Sequence, residues 1–507
     1  MSRHLRLFAI ITVCFLGHTS TNTPVGAGNI NDETPRWLSR DEAARTLIVF
    51  CGLLDKHHAH AAVSEYDARS ALADVRLPAE GVRLSDIILL KKQLLAPIGD
   101  GHADVQLDTR QARAAERGIP GRERVEFLPF LVKMIGERPG DPLIAIRTDR
   151  ASFIDDDHPI LEAIDGVPIE RWIDIVATSI PAGSPAFVRS RACRELRSLW
   201  QWREQLNLPE RRSVTVTLAS PGGESRVTRT LRTRSGMPSR GDWPRTATRI
   251  LDGNIAYLRL ATMRASEEEL AELRVWMDRF RETRGLIIDV RGNGGGHRHI
   301  LHLLGEYLVD PAHGPVIYTA VRPRFVDSDG PILSPHMARR MAHRHLYPAT
   351  HPRWSPAQRE AIARFFENFR PVLDPPAEFF APWHFAMIEP GQDDAYYYDN
   401  PIVILIDANC FSATDVFIHA MSLLPNVVLM GQPSAGSSGA PMTWPTPIPG
   451  VSLRLSSILS YRADGTRFDD ARSQEPDIRI DPLPTYFIGR SDVVLDEAVR
   501  TILAADR

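Results

Sequence analysis

Gly285-Leu-Ile-Ile-Asp-Val-Arg-Gly-Asn-Gly-Gly-Gly296 runs from a strand of buried character into a glycine turn, and a helical pattern follows from about His299. Glycines let backbone N–H groups at such a turn approach an anion closely. A dinucleotide fingerprint counted from Gly292 needs glycine at the sixth place, where His297 stands, and a phosphate loop needs Gly-Lys-Ser/Thr, but no Lys is present. Two readings remain: a purely structural tight turn, or an oxyanion hole whose N–H donors face the charge that develops during acyl transfer.

Outward from this turn, strands and helices alternate. Ile255 to Leu260 is followed by a helix from Ser266 to Arg281, the strand Gly285 to Val290 and a helix from His299 to Leu308. The order resumes with Ile402 to Asp407, a helix from Ala413 to Leu424, and Val427 to Gly431, which predicts an α/β core. Residues 310–399 interrupt it with Pro, Trp, His and Arg and read as a helical insertion or lid, while residues 234–250 read as a linker. Residues 125–233 carry short alternating strands, such as Leu143 to Arg147 and Ser213 to Leu218, with a helix-like stretch from Arg189 to Leu206. Between Arg40 and Gln93, Ala44, Leu47, Ile48, Cys51 and Leu54 recur at helical spacing behind a start signal at Asp41. That helical segment ends in the turn Ile98-Gly-Asp-Gly-His102.

A second signal lies where Pro401 to Asp407 runs into Ala408-Asn-Cys-Phe-Ser-Ala-Thr-Asp415 and a helix. A serine there meets the positive end of the helix dipole. Taken alone, Ser412 also fits an N-cap with Asp415 completing a capping box.

Taken together, Asp289-Val-Arg-Gly-Asn-Gly-Gly-Gly296, Ser412-Ala-Thr-Asp415, Gly431-Gln-Pro-Ser-Ala-Gly436 and Glu475-Pro-Asp-Ile478 resemble, in order and spacing, the C-terminal processing (tail-specific) serine proteases and the tricorn core. The resemblance spans about residues 250–490. It implies a crotonase-like α/β core over 250–507, after a helical domain at 35–118 and a PDZ-like β domain at 120–235. The PDZ likeness rests on Ile160-Leu-Glu-Ala-Ile-Asp-Gly-Val-Pro-Ile169 with Trp172.

By the same resemblance Ser412 is the nucleophile, and the N–H groups of Ala413 and of Gly294 or Gly295 hold the oxyanion. The chain departs from the commoner branch where a general-base Lys is usual, because Ser437 and Ser438 stand there and Lys occurs only at positions 56, 91, 92 and 133. Arginine stays protonated and cannot replace it. The tricorn-like arrangement makes His102 the base and Asp470 the residue that orients it, with Asp469 and Glu475 as close rivals. The implied activity is a serine endopeptidase acting on peptides or unfolded proteins near their C-terminal tails, without metal or organic cofactor. The alternatives are an inert binding protein on the same scaffold or a hydrolase of non-peptide acyl groups.

The chain has 507 residues, enough for two or three domains, with 43% hydrophobic residues, 24% charged residues and a net charge of −3. This balance disfavours disorder and nucleic acid as a partner. Arg3, His4 and Arg6, the apolar run Leu7 to Gly17, and the small residues up to Ala27 predict a signal peptide at 1–27 and a secreted or periplasmic protein. No later run is apolar enough to span a membrane. Cys51, Cys193 and Cys410 lack CxxC spacing and leave at most one disulfide open; Cys410 reads as a buried thiol. His57, His58 and His60, and His297 with His299, lack visible further ligands for a metal.

Overall fold

The computed structural model describes residues 37–108, 126–181, 183–238, 245–325, 332–392, 396–470 and 472–505. The expected signal segment, 1–27, lies outside the described residues.

A six-stranded sheet runs in the order Ala247–Leu251, Ile255–Arg259, Leu286–Asp289, Ile402–Ile406, Val427–Gly431, Ile478–Arg479, parallel except for its first pair. Alternate side chains of its strands enter two different cores. Ala256, Leu258, Leu286, Ile288, Ile402 and Ile404 pack with the helices Glu267–Phe280, His299–Leu308 and Ala413–Met421. Ile255, Tyr257, Ile287, Val403 and Leu405 pack with Val494, Ala498 and Ile502 of the helix Val493–Ala505. Burial on both faces is why these strands read as unbroken apolar runs. The turns that follow Leu286–Asp289 and Ile402–Ile406 leave the carboxyl ends of adjacent parallel strands, where open α/β sheets place their sites.

Four local expectations need correction. Part of the expected linker is the edge strand Ala247–Leu251, paired antiparallel with Ile255–Arg259. The 310–399 insertion is not simply helical. Besides the helices Pro335–Ala342 and Pro356–Asn368 it holds the strands Val316–Pro323, Tyr347–Pro348 and His384–Ile388, which form a four-stranded sheet with Ile458–Tyr461. Val316–Pro323 and His384–Ile388 are buried almost throughout, so they show no polar alternation to betray them. In the first helix, Arg40–His57, the cap is Ser39 reciprocated by Glu42, and the buried stripe is Ala43, Thr46, Leu47, Phe50, Cys51 and Leu54, with Ile48 60% exposed.

Residues 126–234 form an antiparallel sheet ordered Phe130–Met134, Leu143–Arg147, Ile160–Ile164, Ser213–Ala219, Arg226–Arg232. Its helical part divides into Ile169–Ala177, Pro185–Glu195 and Leu199–Gln205, in place of one stretch from Arg189 to Leu206. Ser184 caps Pro185–Glu195 and donates through Oγ to the Ser434 carbonyl at 2.8 Å, and Phe187 stacks on Phe411 at 5.1 Å. This unit therefore borders the Ser412 turn. The N-terminal helices reach the same place through the strand Asp104–Leu107, which pairs antiparallel with Val451–Ser456.

Candidate active site

Ser412 follows the strand Ile402–Ile406 and opens the helix Ala413–Met421 with φ +63° and ψ −119°, a conformation costly for a residue with a Cβ. Two contacts hold it there. The Phe411 N–H donates to the Asn293 carbonyl at 3.0 Å, joining the serine turn to the glycine turn. Asp415, fully buried, accepts from Ser412 N–H at 3.1 Å, Ser437 N–H at 2.9 Å, Gly436 N–H at 2.8 Å and Ser434 Oγ–H at 2.5 Å. Burial pushes the Asp415 carboxyl up to about 6, with these donors opposing the rise. Sequence reasoning gave Asp415 only a capping role; its position beside a buried serine turn was the available signal.

A Cβ at Gly295 would lie 2.6 Å from the Phe411 carbonyl oxygen and 2.9 Å from Ser412 Cβ, so only glycine lets the two turns touch. The Gly295 N–H donates to Asn293 Oδ1 at 2.9 Å and is spent. This corrects the choice between Gly294 and Gly295 as an oxyanion donor: Gly295 supplies close approach. Among the described residues the N–H groups of Gly294 and Ala413 have no partner, and both residues sit against the cleft or the serine turn.

His102 arrives from the N-terminal segment. Its Nε2 lies 2.9 Å from Ser412 Oγ, across 310 residues of sequence, and its Nδ1 lies 3.0 Å from Ser437 Oγ. Asp100 fastens the turn, accepting from His102 N–H at 2.9 Å, Ser456 Oγ–H at 2.7 Å and Ser456 N–H at 3.0 Å, and pairing with His58 Nε2 at 2.8 Å. Burial pushes the imidazole of His102 down to about 3, with Arg454 adding to the effect and Asp100 opposing it. The ring is therefore neutral. A proton on Nδ1, donated to Ser437, leaves the Nε2 lone pair facing the Ser412 hydroxyl.

Asp470 does not serve this ring. Its carboxylate is 40% exposed and its contact is Arg467, whereas its neighbour Asp469 is buried and accepts from Gly101 N–H at 3.3 Å and Ser438 N–H at 2.8 Å. Asp469 is also hydrogen-bonded to the Ser437 hydroxyl. Ser437, absent from the expected site, thus stands between imidazole and carboxylate. Burial raises the Asp469 carboxyl, and the nearby Asp100 charge adds to the rise. Burial would also raise Asp100, but the hydrogen bond from His58 and the surrounding imidazoles hold it well below the usual carboxylate range. Asp100 therefore carries the charge of the pair.

Ligand atoms of His60, Asp100 and Asp469 lie within 4.8 Å of one another, a grouping that could hold a metal. His58 is engaged by Asp100, His57 stacks on Trp444 at 3.7 Å, and the His297 and His299 rings are 5.8 Å apart. Cys51, Cys193 and Cys410 are free and buried, and burial raises the Cys410 thiol far above its ordinary value. A cleft of about 1270 Å³ opens onto Ser412, His102 and Gly294.

Residues 254–480 match the model described as Peptidase family S41. The chain carries a peptidase family S41 domain, and it is a serine-type peptidase. The S41 domain contains the glycine turn, Ser412, Ser437 and Asp469, whereas His102 lies before it. Among solved structures, mature CPAF is 17% identical with a TM-score of 0.62, over 92% of this chain and 98% of that chain. Mature CPAF complexed with lactacystin gives 17% and 0.59 over the same shares. At that identity the likeness is one of fold, and it extends well beyond the S41 domain. The photosystem II D1 C-terminal processing protease is 13% identical with a TM-score of 0.41, over 87% of this chain and 93% of that chain. No curated protein sequence matches the chain. No described helix is long and apolar enough to cross a membrane.

Proposed function

We propose that this S41 peptidase is an endopeptidase of the tricorn-like Ser-His type, in which Ser412 attacks the scissile carbonyl and His102 takes its proton. The observation that carries the reading is the 2.9 Å contact between His102 Nε2 and Ser412 Oγ, made by a neutral, buried imidazole. As the Ser412 Oγ–carbonyl bond forms, the proton moves to Nε2 and the carbonyl oxygen takes the negative charge. The N–H groups of Gly294 and Ala413 receive that oxygen, Ala413 at the positive end of its helix. Collapse of the tetrahedral intermediate returns the proton from Nε2 to the leaving amine, and water repeats the sequence to release the acyl group. Ser437, backed by Asp469, is a positioning residue that keeps the Nδ1 proton in place.

The same reading takes the S41 domain as a crotonase-like core, residues 40–107 as its helical domain and residues 126–234 as a PDZ-like domain that presents extended peptides, near C-terminal tails, to the cleft. It takes the protein as extracytoplasmic on the strength of residues 1–27. A fluorophosphonate should label the wild type at Ser412, as read by peptide mapping, and Ser412→Ala should abolish both labelling and peptide cleavage without loss of folding. Label recovered elsewhere, or cleavage persisting in that variant, would remove Ser412 from the role.

A further inference from the structure

We propose that the Ser412 cleft selects peptides that carry Asp or Glu side chains beside the scissile bond. The inference rests on the peptidase reading and names the substrate class for it. Nine Lys and Arg residues line the cleft against a single carboxylate, Asp407, among the described residues. Asp407 is itself committed, since its Oδ1 accepts from Gly292 N–H at 2.9 Å and Asn409 N–H at 3.0 Å. The chain as a whole has a net charge of −3, so the basic lining is local and not a consequence of composition.

Some buried arginines elsewhere meet carboxylates, as Arg189 meets Glu170, Arg203 meets Glu126 and Asp165, and Arg291 meets Asp289 and Asp492, whereas Arg197 and Arg324 meet backbone carbonyls. In the cleft, Arg264, Arg340, Arg344 and Arg454 have no carboxylate in ion-pair contact among the described residues. Arg340 Nη2 donates to the Pro441 carbonyl at 2.7 Å, and Arg344 Nη1 donates to the Arg340 carbonyl at 3.1 Å. Both side chains are thus held in place without being neutralised. Burial, then the charges of Arg340 and Arg298, push Arg344 down to about 10. Arg340 and Arg344 are partly buried with no carboxylate beside them, a placement that lowers stability, while Arg454 feels the charges of Asp100 and Asp104 and Arg264 is exposed.

Three of the four stand close to the reacting groups. Arg264 Cγ lies 2.7 Å from where a Cβ on Gly296 would stand, next to the glycine turn. The charges of Arg454 and Arg344 both act on the His102 ring. Guanidinium groups bind carboxylates through paired, charge-assisted hydrogen bonds, so a peptide with acidic side chains on either side of the Ser412-bound carbonyl supplies the missing counter-charges. An amide-bearing peptide of the same shape cannot.

The test measures binding to the full-length Ser412→Ala protein by fluorescence anisotropy. It compares a short peptide with Asp and Glu flanking a central apolar residue and the same peptide with Asn and Gln. The acidic peptide should bind about tenfold tighter or more at low ionic strength, and added salt should narrow the gap. Arg344→Gln and Arg454→Gln, each added singly, should narrow it while leaving the amide peptide unchanged. Arg264→Gln, at an exposed side chain, provides the same readout should either of those variants misfold. Equal binding of the two peptides, or a gap untouched by the arginine variants, overturns the proposal. Displacement of the acidic peptide by an oligothymidylate of equal or higher affinity also overturns it, and assigns the charge to general polyanion capture. Because binding is read without the nucleophile, such a failure is distinct from failure of the peptidase reading, which would appear as wild-type Ser412 left unlabelled by the fluorophosphonate.

Discussion

The Ser412 turn and the His102 turn meet at 2.9 Å, yet they are held in different ways. The serine turn is continuous with a core strand and the helix after it, and Asp415 ties it to residues 434–437 nearby in sequence. The histidine turn depends on distant partners: Asp100 is fastened to Ser456, and Asp104–Leu107 pairs with Val451–Ser456. Ser412 is thus positioned by the S41 domain itself, whereas His102 is positioned by strand register between segments far apart in the chain. Perturbations of that register should silence the base before they disturb the serine.

The strongest way to break this comparison is His102→Ala. It should lower kcat/KM by on the order of a thousandfold or more, because among the described residues no other acceptor is bonded to Ser412 Oγ. Near wild-type turnover would assign proton abstraction elsewhere. Asp415→Asn tests the other turn. It replaces an acceptor of four hydrogen bonds by an amide whose NH2 opposes some of the same donors, and should cost roughly 2–4 kcal/mol in urea unfolding together with activity. Unchanged stability would mean that the serine turn does not depend on Asp415.

Ser437→Ala sharpens the comparison, since it removes a group that links the imidazole to Asp469. It should lower kcat by roughly ten- to a hundredfold with KM little changed, by freeing the wrong tautomer, and Ser437→Thr should restore part of the loss. The pH dependence is subtler. His102 is held neutral, with a pKa of about 3 against an ordinary value of 6.5, so kcat/KM should stay level through pH 6.5 and decline only as pH approaches that lowered value. The unfolded chain gains a proton below about pH 6.5 that the folded ring refuses, so this group lowers folding stability as pH falls from about 6.5 toward 3. An acid limb centred at the ordinary histidine value would contradict the buried, neutral ring. The smallest effect belongs to Asp470→Asn, which should change kcat/KM by less than about twofold, because the carboxylate is 40% exposed and its contact among the described residues is Arg467.

What the sequence determined by itself was local. The paired faces of the core strands, the glycine turn, the serine at a helix entrance and the absence of any lysine after position 133 follow from residues within a few places of one another, where periodicity and turn chemistry act. The orienting partner of His102 was not of that kind. Counting along the chain could not separate Asp469 from Asp470, since adjacent residues point different ways. Asp469, at φ +63°, turns inward to Gly101, Ser437 and Ser438, while Asp470 turns outward to Arg467. Ser437 was legible only as the place where a lysine is missing. The tertiary structure made it the link between ring and carboxylate by bringing together segments separated by 335 residues, and burial among those segments keeps the His102 ring neutral.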